Sequence, residues 1–174
     1  KKAKVRRLIH CSTAVVVGNV YGGLVTEDTE CYPTNEYEST KLKIETKILS
    51  LRGEGPDVVI LRPTSVFGPN AEPIRKLADD LVGGSRFLNY LKSSFLGKRR
   101  MNLVCIANVI GAIKFMINHQ NNFNGQLFIV SDDAALINSF SEIEKILINQ
   151  LHGKKHFFTP IPIPYFMLNL ILRL

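Results

Sequence analysis

The run Val58-Val59-Ile60-Leu61 constrains this chain more than any other feature. Successive side chains of a strand point to opposite faces of its sheet, so four apolar residues in a row need cover on both sides. Such a strand belongs inside a parallel sheet with helices on each face. The preceding residues agree. Residues 36–51 read as a helix with Asn35 or Thr34 as N-cap, stopped by Gly53, Gly55 and Pro56. Residues 5–13 read as an earlier strand, so strand, helix and strand would form one right-handed crossover. Between them, residues 14–36 form a loop of a length that is uncommon unless it serves a function.

The alternation continues downstream. Residues 73–81 read as a helix ended by Gly83-Gly84, and residues 102–106 as a strand. A helix over residues 107–118 has Val109, Ile113, Phe115 and Met116 as apolar anchors. Residues 126–130 are the next strand. A helix over residues 139–150 takes Ser139 or Ser141 as cap and buries Ile143, Ile146 and Leu147. The alternating prolines at 160, 162 and 164 exclude regular structure, and a final helix begins near Tyr165. Strands alternating with helices predict an α/β fold around a parallel, doubly wound sheet.

Bulk properties narrow the function. A chain of 174 residues with 45% apolar and 21% charged content matches an ordinary globular protein. The net charge of +7 is concentrated at Lys1, Lys2, Lys4, Arg6 and Arg7 and again at Lys98, Arg99 and Arg100. These runs lack interleaved aromatics and any nucleic-acid-binding motif, so solvated faces or attraction of an anionic substrate explain them better than nucleic acid. Cys11, Cys31 and Cys105 are odd in number and have no metal-ligand spacing, which points to a reducing, cytoplasmic setting. His152 and His156 have ligand-like spacing, but Gly153 breaks the helix that would align them, so no metal is expected. The apolar run over residues 165–174 is too short to span a bilayer. It stops in mid-pattern, and the chain is expected to be truncated at both ends.

The chemistry centres on one helix face. Tyr37, Lys41, Ile44, Ile48 and Leu51 fall on one stripe, with the last three expected as core anchors. That phase places Tyr37 and Lys41 on the inward side, where a lysine is costly unless it is paired or lines a site. Proton transfer at an alcohol suits such a pair. A free phenol titrates near about 10, and a neighbouring ammonium stabilises the phenolate. The strand ending at Cys11-Ser12-Thr13 and the one ending at Arg62-Pro63-Thr64-Ser65 should open onto the same crevice. The Thr13 hydroxyl could orient a substrate oxygen toward Tyr37. Plainer readings also exist: Thr13 ending a strand, Tyr37 and Lys41 capping a core face, Ser65 satisfying a turn.

Three motifs carry a resemblance. Tyr37-Glu38-Ser39-Thr40-Lys41 matches Y-x-x-x-K. Ser12-Thr13-Ala14-Val15-Val16-Val17-Gly18 is similar to S-[ST]-x-x-V-Y-G, with valine in place of the tyrosine. Leu61 to Pro69 is similar to L-R-P-x-x-V-[YF]-G-P. Their order, and the 24-residue step from Thr13 to Tyr37, resemble the NAD(P)-dependent epimerase/dehydratase family of extended short-chain dehydrogenases/reductases. The resemblance is good over residues 5–70 and loose over residues 102–150.

The resemblance implies a Rossmann-like sheet with a small C-terminal substrate-binding part. Residues 1–70 would be the second half of the cofactor domain, and residues 71–174 a mixed substrate-binding region with the remaining sheet and helix elements. It implies NAD or NADP as cofactor and a nucleotide sugar, or another small hydroxyl or keto compound, as substrate. Thr13, Tyr37 and Lys41 would be catalytic. Cys11, Ser12, Pro63, Ser65 and Val66 would join Tyr37 and Lys41 at the cofactor. Ser65, Asn70 and Arg100 would join Thr13 at the substrate. A homodimer through the helix bearing Tyr37 is one option. The departures are equally specific. No G-x-x-G-x-x-G turn is present, and relatives would carry about a hundred residues upstream. Cys105 and Asn108 stand where V-H-V-x-D-V would have His and Asp. A ketoreductase or hydroxysteroid-type dehydrogenase would use the same trio, and a non-catalytic dinucleotide-sensing module is a rival from another class.

Overall fold

The structure is a computed structural model that describes residues 4–20, 23–53, 55–69, 71–135 and 138–152. The proline-rich segment, the helix expected near Tyr165, His156 and Asn70 lie outside the described residues. In chain order the elements are β1 (Arg7–Cys11), α1 (Glu36–Leu49), β2 (Asp57–Pro63), β3 (Ser65–Phe67), α2 (Glu72–Gly83), α3 (Arg86–Leu96), β4 (Leu103–Cys105), α4 (Ile106–Asn118), β5 (Gln126–Val130) and α5 (Phe140–His152). They group into two compact units: residues 1–66 with 104–131, and residues 67–103 with 132–174.

The first unit is built on a parallel sheet in the order β1-β2-β5. Ile9 is opposite Val59, Cys11 opposite Leu61, and Pro63 opposite Val130. The apolar run therefore lies in the central strand, as its composition requires, and Val59, Ile60 and Leu61 are fully buried. Alternation sends neighbouring β2 side chains to different helices. Val59 and Leu61 pack with Val104, Val109, Met116 and Phe123 on the α4 side. Arg62, next along, bonds Glu45 of α1. Helices thus cover both faces, which gives the doubly wound arrangement.

The amino ends of the strands are pinned by charge. Arg7 Nε donates to Asp57 Oδ2 at 2.7 Å, and its guanidinium reaches the carbonyls of Met116, His119 and Asn121. Asp57 also accepts from the amides of Phe123 and Asn124. Because arginine groups satisfy carbonyls at the C-terminal end of α4, that helix needs no glycine cap there. A surface depression lined by Phe115, His119 and Gln120 lies at this end, remote from Cys11 and Pro63.

In the second unit α5 packs against α2 and α3. The side chain of Ser139 accepts from the amide of Glu142 at 3.4 Å, so Ser139 is the serine at the helix start. Asn138 is buried and ties the chain to β4, donating to the Leu103 carbonyl and accepting from its amide. Two expectations fail on phase. Phe115 of α4 and Ile146 of α5 are exposed rather than anchoring, and on α5 the buried position goes to Glu144. The Glu144 carboxylate accepts from the buried Ser93 hydroxyl of α3, and burial raises its pKa above the usual carboxylate range despite that bond. No helix of the described residues is long and apolar enough to cross a membrane.

Candidate active site

The site lies in the first unit, where the parallel strands end. The Ser12 amide donates to the Leu61 carbonyl at 2.8 Å, extending the ladder one residue past β1. Ser12 is buried, and its Oγ has no hydrogen-bond partner among the described residues. Thr13 is extended and opens a 3-10 turn over Ala14–Val17, its Oγ1 accepting from the Val15 amide at a long 3.5 Å. The buried side chains of Val16 and Val17 anchor this turn. Val17 stands where the resembling motif has tyrosine, and an apolar side chain suits a position that is 2% exposed.

Gly18 then reverses the chain with φ 77°, and the Tyr32 amide bonds back to the Val17 carbonyl at 3.1 Å. The long loop is tied at its ends and also across the sheet edge. Glu27 Oε1 accepts from the Ile129 amide of β5 at 2.9 Å. It re-enters regular structure through a reciprocal cap. Asn35 Oδ1 accepts from the Glu38 amide at 2.9 Å, while the Glu38 carboxylate accepts from the Thr34 amide at 2.6 Å and from Asn35 Nδ2 at 2.7 Å. The Thr34 amide is the main cause that holds the Glu38 carboxyl below its usual range, against the opposing effect of burial.

That cap fixes the first turn of α1, which carries Tyr37. The Tyr37 ring is 57% exposed, not inward-looking. Ile44 and Leu51 are exposed too, and Ile48 is half-buried, so the expected apolar stripe is not the packed face. The packed face carries Glu38, half-buried Lys41 and Glu45. The reason is electrostatic: Glu45 turns inward to meet Arg62, with Nε–Oε1 at 3.0 Å and Nη2–Oε2 at 2.6 Å. Lys41 reaches across to the end of β1, its Nζ 3.4 Å from the Cys11 carbonyl and 5.9 Å from the centroid of the Tyr37 ring.

The remaining expected residues sort by place. Pro63 is buried at the end of β2, and Ser65 and Val66 are exposed on β3. They and Cys11, Ser12, Thr13, Tyr37 and Lys41 all belong to the first unit. Arg100 is exposed in the second unit, and its guanidinium donates to the Asp133 carbonyl. Sequence reasoning missed Glu45 and Arg62. A signal existed: an arginine inside a buried strand needs a partner, and Glu45 is one turn beyond Lys41.

The model of the NAD dependent epimerase/dehydratase family matches residues 1–130. The chain belongs to that family. It is 31% identical over 134 residues to UDP-glucose 4-epimerase of Vibrio cholerae, a match covering 74% of this chain and 39% of that protein. The chain thus spans well under half the length of this relative. Among solved structures, UDP-N-acetylglucosamine 4-epimerase of Methanobrevibacter ruminantium, in complex with UDP-N-acetylmuramic acid, aligns with TM-score 0.66 at 19% identity, over 86% of this chain and 48% of that one. UDP-glucuronic acid 4-epimerase of Bacillus cereus, in complex with NAD, aligns with TM-score 0.63 at 23% identity, over 88% and 50%. These likenesses show a shared fold, and the sheet of the first unit is a piece of it.

Proposed function

We propose that this chain carries the catalytic segment of a nucleotide-sugar epimerase or dehydratase that works by NAD(P)-dependent oxidoreduction at a carbinol carbon. The observation that carries the reading is the reach of Lys41 from α1 to the Cys11 carbonyl, with its ammonium against the Tyr37 ring. The site fits the nicotinamide-ribose end of a dinucleotide. Ser12 offers a buried hydroxyl without a partner among the described residues, and the Lys41 ammonium is suited to ribose hydroxyls. When bound, that group would accept and return a hydride.

In this reading the exposed Tyr37 hydroxyl takes the proton of the substrate alcohol and returns it to the carbonyl oxygen on reduction. The Lys41 ammonium stabilises the phenolate form. The Thr13 hydroxyl, engaged only by a long bond from the Val15 amide, holds the substrate oxygen toward Tyr37. Cys11, Pro63, Ser65 and Val66 are assigned to the cofactor side, with Ser65 also toward the nucleotide sugar. The named relatives support that substrate class, being enzymes of UDP sugars. The thiols of Cys11 and Cys31 are in no disulfide, in keeping with the proposed reducing, cytoplasmic setting.

The test is turnover of UDP-hexoses by the full encoded chain, with products separated by chromatography. Tyr37→Phe should reduce turnover by about 10²–10⁴-fold, the range for a lost general acid/base, while the melting temperature stays unchanged. Turnover that survives the substitution would remove Tyr37 from the chemistry and this function with it.

A further inference from the structure

We propose that the buried Glu45–Arg62 pair is a positioning clamp that sets where Lys41 stands, making both residues positioning residues for the acid/base pair. The inference rests on the reading of Lys41 and Tyr37 given above.

Packing alone does not account for the pair. Its side chains are 2% and 5% exposed, and apolar residues of similar volume commonly stabilise such a position as well or better. What an apolar pair lacks is direction. Two parallel bonds between a guanidinium fork and a carboxylate fix the rotation of α1 about its axis and its position along β2 together. Lys41 precedes Glu45 by one turn on the same face, so the clamp fixes the origin of the Lys41 side chain.

The apolar side chains of α1 at Leu42, Ile48 and Leu49 are only half-buried, a weaker restraint on its rotation. The buried residues of the helix are Glu38, engaged in the cap, and Glu45. The contact that depends on it has little tolerance, because a Lys41 Nζ–Cys11 O separation of 3.4 Å is near the limit of a hydrogen bond. A competing acceptor is also close by. His10 Nε2 is buried on β1 without a partner among the described residues. Burial, then the charge of Lys41, lower the pKa of this imidazole, while Glu45 acts in the opposite sense. A helix free to turn could surrender the Lys41 ammonium to that nitrogen.

The experiment compares the full encoded chain with the double variant Glu45→Met/Arg62→Leu, which removes both charges and leaves neither buried alone. The expected result is a melting temperature at or above that of the parent, a crystal structure in which Lys41 Nζ has left the Cys11 carbonyl, and kcat lowered roughly ten- to a hundredfold with KM for the UDP-hexose nearly unchanged. A misplacement of about 1 Å is enough for a loss of that size. Retention of the Lys41–Cys11 contact and of kcat would overturn the clamp. A double variant melting far below the parent would assign the pair to packing and overturn it as well. If the parent itself turns over no UDP-hexose, the functional reading fails separately, and the Lys41–Cys11 distance in the two structures still decides the clamp.

Discussion

Gly18→Ala should be the most damaging small substitution in the loop that joins Thr13 to Tyr37. Gly18 has φ 77° and ψ −155°, a region open essentially to glycine alone, and forcing another residue there costs about 1–3 kcal/mol. Space is a second obstacle. An added Cβ would lie 1.9 Å from the Tyr32 carbonyl oxygen and 2.8 Å from its carbon, backbone atoms that cannot swing aside like a side-chain tip. Moving Tyr32 away breaks its bond to the Val17 carbonyl, a further loss of about 1 kcal/mol. The substitution should therefore destabilise the protein by roughly 3 kcal/mol, or about 6–12 °C in melting temperature for a chain of this size. Thermal melts followed by circular dichroism measure this. Gly55→Ala is the control, since its Cβ would meet nothing within 4 Å. A Gly18→Ala protein that melts within about 2 °C of the parent would refute both the conformational and the steric argument.

Two further substitutions probe the charged interior. Asp57 has its carboxyl held below the ordinary 3.8: burial pushes it up, but the Arg7 guanidinium and the Phe123 and Asn124 amides outweigh that. A depressed carboxyl contributes stability above its unfolded pKa that is lost as pH falls through the folded value. Asp57→Asn should cost roughly 2–3 kcal/mol at pH 7 in urea melts and flatten the acid limb below about pH 4; equal stability at pH 7 would contradict it. Glu144 has the opposite sign. Its raised carboxyl contributes stability fully present below the ordinary 4.5 and lost as pH rises through the folded value. Glu144→Gln should match or exceed the parent in melting temperature at pH 7, with the advantage gone near pH 4. A variant that is weaker at pH 7 would show the ionised form to be well accommodated.

Much of this architecture was legible in the sequence because several signals coincide. The strand over Gln126–Val130 matches its expected bounds, and α1 begins where Asn35 caps it and ends two residues early. The helix α3 over Arg86–Leu96 was not expected. Gly83-Gly84 reads as a stop and Ser85 makes no side-chain cap bond, so no cap marks where the helix begins. The strand β3, three residues long, is too short to show any period. In the site, Tyr37, Lys41 and Thr13 were visible through side chains at informative spacing. The Cys11 carbonyl that receives Lys41 was invisible, because every residue has a carbonyl and sequence does not say which one is free.

The phase errors on α1 and α5 share a cause. On α1 and on α5, apolar periodicity placed isoleucines inward, yet Ile44 and Ile146 are exposed and a glutamate takes the buried place on each helix. Periodicity assumes that a carboxylate seeks water, and this fails where a partner is already waiting on the opposing element. For Glu45 the partner is an arginine on the central strand, which forms an ion pair with it; for Glu144 it is a serine, and burial raises the carboxyl. The same residue type thus does different work in the two units. Glu45 offers a two-bond contact to Arg62 that can orient the helix bearing Tyr37 and Lys41. Glu144 offers a group whose ionisation weakens its own surroundings. An arginine inside an otherwise apolar strand is the sequence signal that separates the two cases, since it demands a buried counter-charge on whichever helix crosses it.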